Sequence, residues 1–85
     1  MMEYKFSNHS MDKISKRNIP VELIDEVLKF PEQQYNENGV EIYQGLVEIE
    51  NNEYLLRIFV NEEETPCNII TVYFTSKIDK YKAKL

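Results

Sequence analysis

The chain has 85 residues, 42% of them hydrophobic and 29% charged, with a formal net charge of -5. At this length about 60% of the unfolded surface can be buried, which permits one core, a single domain over residues 1–85, and excludes a second. One cysteine, Cys67, and one histidine, His9, exclude an intrachain disulfide and a Cys/His metal cage, and no apolar run approaches the ~20 residues that span a bilayer. The start, Met1 to Phe6, carries no leader-like apolar run, so a reducing, cytoplasmic setting without membrane attachment is the expectation.

In chain order, Met2, Tyr4 and Phe6 alternate with Glu3 and Lys5, the period of a short half-buried strand. Ser7 is a good N-cap for a helix over residues 8–17, and Asn18 suits a left-handed C-cap. Pro20 at a first helical position opens a second helix, in which Leu23, Ile24, Val27 and Leu28 form an apolar face until Pro31 stops it. A short strand-like segment near Gln33 to Tyr35 leads to Asn38-Gly39, a hairpin-turn signal. Strands over about 40–49, 53–60 and 68–75 follow from apolar alternation. Val40 and Ile42 share one phase and Val47 and Ile49 the other, so Gly45 is expected at a phase-shifting bulge. The turn at residues 50–53 is expected to place Asn51-Asn52 at positive φ.

In the last two strands Leu56, Ile58 and Val60, with Ile70, Val72 and Phe74, are expected to meet the second helix. The opposite face then presents Leu55, Arg57 and Phe59 beside Ile69, Thr71, Tyr73 and Thr75. The order is β-α-α-β-β-β, an α+β fold with two N-terminal helices on one face of an antiparallel sheet. The Lys-rich residues 76–85 either fray or add a final turn.

Only Gly39 and Gly45 are present, and neither lies in a phosphate-cradling loop, which argues against a nucleotide-binding enzyme. The run Glu62-Glu63-Glu64 before Pro66 reads as a solvated turn, so neither metal nor cofactor is expected. Charge is unevenly placed. Residues 1–17 carry four cations against two acids and residues 76–85 four against one, while residues 18–75 carry Lys29 and Arg57 against twelve acids. The two ends either join as a basic patch or remain two solvated segments.

His9, in the first turn of a helix, is disfavoured from protonation by the helix dipole and is either a neutral base or a surface histidine. Lys13 and Lys16 project on its side with Arg17 adjacent, so these three are either candidate phosphate-binding cations or solvated surface charges. Arg57, alone among the central strands, must pair with a carboxylate or meet an anionic ligand, and Tyr73 on the same face can hydrogen-bond or stack on a base.

Phe6-Ser7-Asn8-His9, Lys16-Arg17-Asn18-Ile19-Pro20, Leu23-Ile24, Val27-Leu28 and Phe30-Pro31 together resemble a family of small prokaryotic domains. That family carries S-x-H, then R-x-I-(P/S), then a helix ending in N/F-P. Leu56-Arg57-Ile58-Phe59-Val60 and Ile70-Thr71-Val72-Tyr73 match its last two strands. The family is similar to RelE and BrnT type toxins, which implies their fold and metal-independent cleavage of mRNA within a toxin–antitoxin system. By position, the resemblance makes His9, Arg17, Arg57 and Tyr73 site candidates.

Such cleavage uses the 2′-hydroxyl as nucleophile and needs a base, an acid and cations for the phosphorane. His9, Arg57 and Tyr73 are the candidate catalytic residues, with Lys16 or Arg17 aiding charge stabilisation. The rival class is a non-catalytic binding or regulatory module, because Leu55, Phe59 and Ile69 on the outer face are costly to leave in water. An antitoxin, a second copy joined through the sheet face or edge, or a regulator would cover them.

Overall fold

The computed structural model describes residues 3–82. The elements are β1 (Tyr4–Phe6), α1 (Asn8–Arg17), α2 (Val21–Lys29), β2 (Gln33–Glu37), β3 (Val40–Ile49), β4 (Asn52–Asn61), β5 (Cys67–Thr75) and α3 (Ile78–Lys82). Met2, first in the expected strand alternation, and residues 83–85 of the expected tail lie outside the described residues. Among the described residues no helix is long and apolar enough to cross a membrane.

Local chemistry sets the helix ends. Ser7 Oγ accepts from Ser10 N at 3.0 Å and donates to the Ile70 carbonyl at 2.8 Å, so one hydroxyl caps α1 and ties it to β5. Asn18 ends α1 at φ 51°, the left-handed conformation that asparagine tolerates. Pro20 is the N-cap of α2 rather than its first helical residue, one position earlier than expected.

The sheet has five strands in the order β1-β5-β4-β3-β2. It is mixed, not wholly antiparallel as the sequence suggests: β1 runs parallel to β5, and the remaining pairs are antiparallel. The reason is topological. The two helices carry the chain from one edge of the sheet to the other, and the hairpins bring it back until β5 meets β1 in the same direction. Asn38 and Gly39, with φ of 53° and 86°, close the β2–β3 hairpin as expected. The β3–β4 turn has its positive φ values at Glu50 and Asn51, with Ile49 facing Asn52, so this turn sits one residue earlier than the Asn-Asn pair implies.

Both helices pack on one face. Ile19, Ile24, Val27 and Leu28 bury against Tyr43, Val47, Leu56, Ile58, Val60, Ile69 and Val72, with Ile14, Leu23 and Phe74 at the margin. Two phase expectations are corrected. The β3–β4 register runs without a shift from Glu41–Val60 to Ile49–Asn52, so Gly45 is no bulge. Gly45 faces α2 instead, where an added Cβ would lie 3.4 Å from Val27, an ordinary packing distance. The shift sits in β5, where Phe59 pairs with Thr71 but Val60 pairs with Ile69, leaving Ile70 as the extra residue. Ile69, not Ile70, therefore enters the helix-side core, with 0% exposure.

This register is directly testable. Ile69→Ala should lower stability in urea unfolding by about 2–5 kcal/mol, as a buried isoleucine truncation does, and Ile70→Ala by about 1 kcal/mol or less. The reverse order would remove the bulge.

Candidate functional site

The hairpin arithmetic lines up one row across the outer face of the sheet: Gln33 beside Gln44, Gln44 beside Arg57, and Arg57 beside Tyr73. The neighbouring row is Tyr35, Ile42, Phe59 and Thr71. These positions share a face because side chains alternate along each strand.

Arg57 is the centre of the row and only 6% exposed. Its Nε donates to Gln44 Oε1 at 2.9 Å, Nη2 donates to Tyr35 Oη at 2.6 Å, and Nη1 donates to Tyr73 Oη. Gln44, itself fully buried, uses its Nε2 to donate to Gln33 Oε1 at 2.6 Å. Among the described residues the ion pairs are Lys5–Glu64, Lys16–Asp12 and Lys29–Asp25, and none involves Arg57. A charge in a dry site is costly to leave alone, and here neutral oxygens hold it in place of a carboxylate.

Aromatic rings complete the enclosure. The Arg57 Cζ lies 4.3 Å from the centre of the Tyr81 ring, 5.2 Å from Phe59 and 5.5 Å from Tyr73. Phe59 and Tyr73 stack at 5.8 Å. The short α3 after β5 delivers Tyr81, whose hydroxyl is hydrogen-bonded with that of Tyr73 and whose ring meets the Tyr73 ring edge-on at 6.3 Å. The pair is driven apart electrostatically. Burial raises the Tyr73 phenol above its ordinary 10.0, against a lowering by Arg57. The bond from Tyr73 lowers Tyr81, and Lys80, Arg57 and Lys77 add to that lowering. The arrangement offers a fixed cation, a retained phenol proton and a planar stacking surface. Among the described residues no group of three or more His, Cys, Asp or Glu side chains is arranged to hold a metal ion.

Of the sequence candidates, Arg57 and Tyr73 come together. His9, Lys13, Lys16 and Arg17 do not join them. They lie on α1, which packs on the helix-side face: Ile14 joins the core there, and Arg17 lies over Phe74 with Cζ 4.5 Å from the ring centre. His9 is exposed, and Lys16 pairs with Asp12 at 3.1 Å. One joint site of His9 with Arg57 is therefore corrected to two separate groups, with the sheet between them. Among the described residues the cations of α1 and those at α3, Lys77 and Lys80 near Tyr81, likewise lie apart.

The expected apolar patch is also corrected. Leu55 is fully buried, Ile69 is in the helix-side core, and Phe59 is half-buried against Tyr73, so these three do not form a solvent-facing cluster. Sequence reasoning missed Tyr35, Gln44 and Tyr81. The first two were readable, because a two-residue turn at Asn38-Gly39 pairs Tyr35 with Ile42 and Gln33 with Gln44. Nothing in the Lys-rich tail singles out Tyr81.

A family model described as Domain of unknown function (DUF4258) matches residues 6–74, most of the chain, and the chain belongs to that family. The match includes Arg57 and Tyr73 and ends ahead of Tyr81. No curated protein and no solved structure shows a significant match.

The opposite phenol shifts have a readable consequence. In an ultraviolet pH titration Tyr81 should ionise before an ordinary tyrosine and Tyr73 after it, so Tyr81→Phe should delete an early step and Tyr73→Phe a late one. Because its folded pKa is raised, Tyr73 contributes stability that is present below about 10 and lost as pH rises through the folded value. Tyr73→Phe should accordingly flatten the alkaline loss of stability measured by urea unfolding.

Proposed function

We propose that this DUF4258 member acts on single-stranded RNA as a metal-independent endoribonuclease of the RelE and BrnT toxin type. The observation that carries the reading is the buried Arg57 guanidinium, which has neutral hydrogen-bond partners and leaves its positive charge for an anionic ligand to complement. Aromatic rings beside a cation suit a nucleotide, since bases stack while the phosphate meets the charge.

In the reaction the 2′-oxygen bonds to the adjacent phosphorus and the bond to the 5′-oxygen breaks. Arg57 stabilises the charge on the phosphorane oxygens. Tyr73, held protonated by burial, gives its proton to the departing 5′-oxygen, and the 2′-hydroxyl proton passes to water. The products are a 2′,3′-cyclic phosphate and a free 5′-hydroxyl. His9 has no role at the phosphorus in this scheme. Lys13, Lys16 and Arg17 serve as phosphate contacts for RNA that passes round the β1 edge of the sheet. The toxin reading calls for an antitoxin partner, which would not dock on the apolar patch that Leu55 and Ile69 were expected to form.

A binding module of the same fold is the second reading, favoured by the near-complete enclosure of Arg57. Incubation of the purified protein with RNA in chelator separates the two. Cleavage should proceed and leave cyclic phosphate ends. Arg57→Lys should slow it by about 10²–10³-fold and Tyr73→Phe by about 10²–10⁴-fold, while His9→Ala should stay near the parent rate. Loss in His9→Ala alone would refute the assignment. RNA binding without cleavage, free or on ribosomes, would leave the binding module.

A further inference from the structure

Arg57 presents a ligand with an edge and a face, and the two are engaged differently. The edge is hydrogen-bonded to Gln44, Tyr73 and Tyr35, side chains fixed in adjoining strands of the sheet. The face is covered by the ring of Tyr81, which comes from α3, a helix of five residues following β5. A helix so short has little stability of its own and is held by what it touches. Tyr81 supplies two things: a planar ring over the guanidinium, and a hydroxyl hydrogen-bonded with that of Tyr73.

Those two features are the ones a nucleotide brings, a flat base and an oxygen of the sugar–phosphate chain. We infer that Tyr81 occupies, within the chain itself, a subsite for one unstacked nucleobase of single-stranded RNA, and that binding exchanges the Tyr81 ring for that base. This inference rests on the RNA reading above and specifies how the same site is filled. A purine presents a larger π surface than a phenol and a pyrimidine a comparable one, and in either case the nucleotide's phosphate supplies the negative charge that Tyr81 lacks. The exchange also frees the Tyr73 hydroxyl to meet an incoming oxygen. Lys77 and Lys80, which already act electrostatically on Tyr81, remain next to the phosphate side of the ligand. The chemistry distinguishes this subsite from a plain phosphate clamp, which would need the guanidinium edge and have no use for its face.

Nuclear magnetic resonance titration of the full chain tests it, following the Arg57 Nε–H signal and the Tyr81 ring protons. The chain has two arginines, Arg17 and Arg57, so Arg17→Lys assigns the signal. The probes are the four 5′-mononucleotides and, as a base-free control, ribose 5-phosphate. Mononucleotides should move both reporters, and ribose 5-phosphate should move neither strongly. Tyr81→Ala should bind mononucleotides about fivefold to tenfold more tightly than the parent, because the competing ring is gone. Tyr81→Phe, which keeps the ring and loses only the hydroxyl bonded to Tyr73, should fall between the parent and Tyr81→Ala. Should Tyr81→Ala lose the fold, Tyr81→Leu carries the same expectation. Weaker binding in these ring-less variants, or ribose 5-phosphate acting as strongly as the nucleotides, would overturn the subsite. Movement of the Arg57 signal with Tyr81 unmoved would overturn the exchange while leaving the RNA reading intact. Failure of the parent and Tyr81→Ala alike to bind mononucleotides or RNA would overturn both.

Discussion

A guanidinium buried on the outer face of a sheet constrains everything around it. Arg57 sits in a central strand, where its charge can be tolerated only if it is hydrogen-bonded, and each of its three nitrogens donates to a side chain from a different strand. Gln44 comes from β3, Tyr35 from β2 and Tyr73 from β5. A slip of one residue between any of these strands would turn an acceptor to the other face and leave at least one buried guanidinium nitrogen without it. The outer face therefore specifies register by polar geometry, much as the helix-side face does by apolar burial.

The two faces answer to each other through the bulge in β5. Between Thr71 and Ile69 the register shifts, so Tyr73 and Thr71 stay in phase with Arg57 and Phe59 while Ile69 turns inward beside Val60. Without the extra residue, Ile70 would enter the core and Ile69 would lie outside near Phe59. Ser7 fixes the place of the shift, since its hydroxyl donates to the Ile70 carbonyl and its backbone N–H to that of Ile69 at 3.0 Å. The cap of α1 and the irregularity in β5 are thus one device, which joins the helical layer to the strand that carries Tyr73.

Legibility in the sequence follows the range of the interaction concerned. Ser7, Asn18 and Asn38-Gly39 act on their own backbone, and each structure they imply is present. The faces of β4 and of α2 were readable because their periodicity is unbroken. The β5 bulge was hidden by Ile69-Ile70, two identical residues between which hydrophobic pattern cannot choose. Gly45 misled because it sits in an unshifted register facing Val27 of α2, a neighbour far away in sequence. Arg57 and Tyr73 were found as an isolated cation and an aromatic on one strand phase. Tyr81 was not, because it reaches Arg57 by tertiary packing alone.

Net charge proves a poor guide to the potential at the site. The chain is acidic, at -5, yet the charges acting on Tyr81 are those of Lys80, Arg57 and Lys77, all positive, and together they lower its phenol. Interactions between exposed charges fade over about 8–10 Å at ordinary ionic strength, so a local group of cations outweighs more distant carboxylates. Glu64 illustrates the separation: it is committed to Lys5 at 3.1 Å, with Asn61 and Asn68, at the end of β5 where β1 pairs. Acidity spread over the body of the chain and positive potential over Arg57 are therefore compatible. The consequence for recognition is that attraction acts at short range.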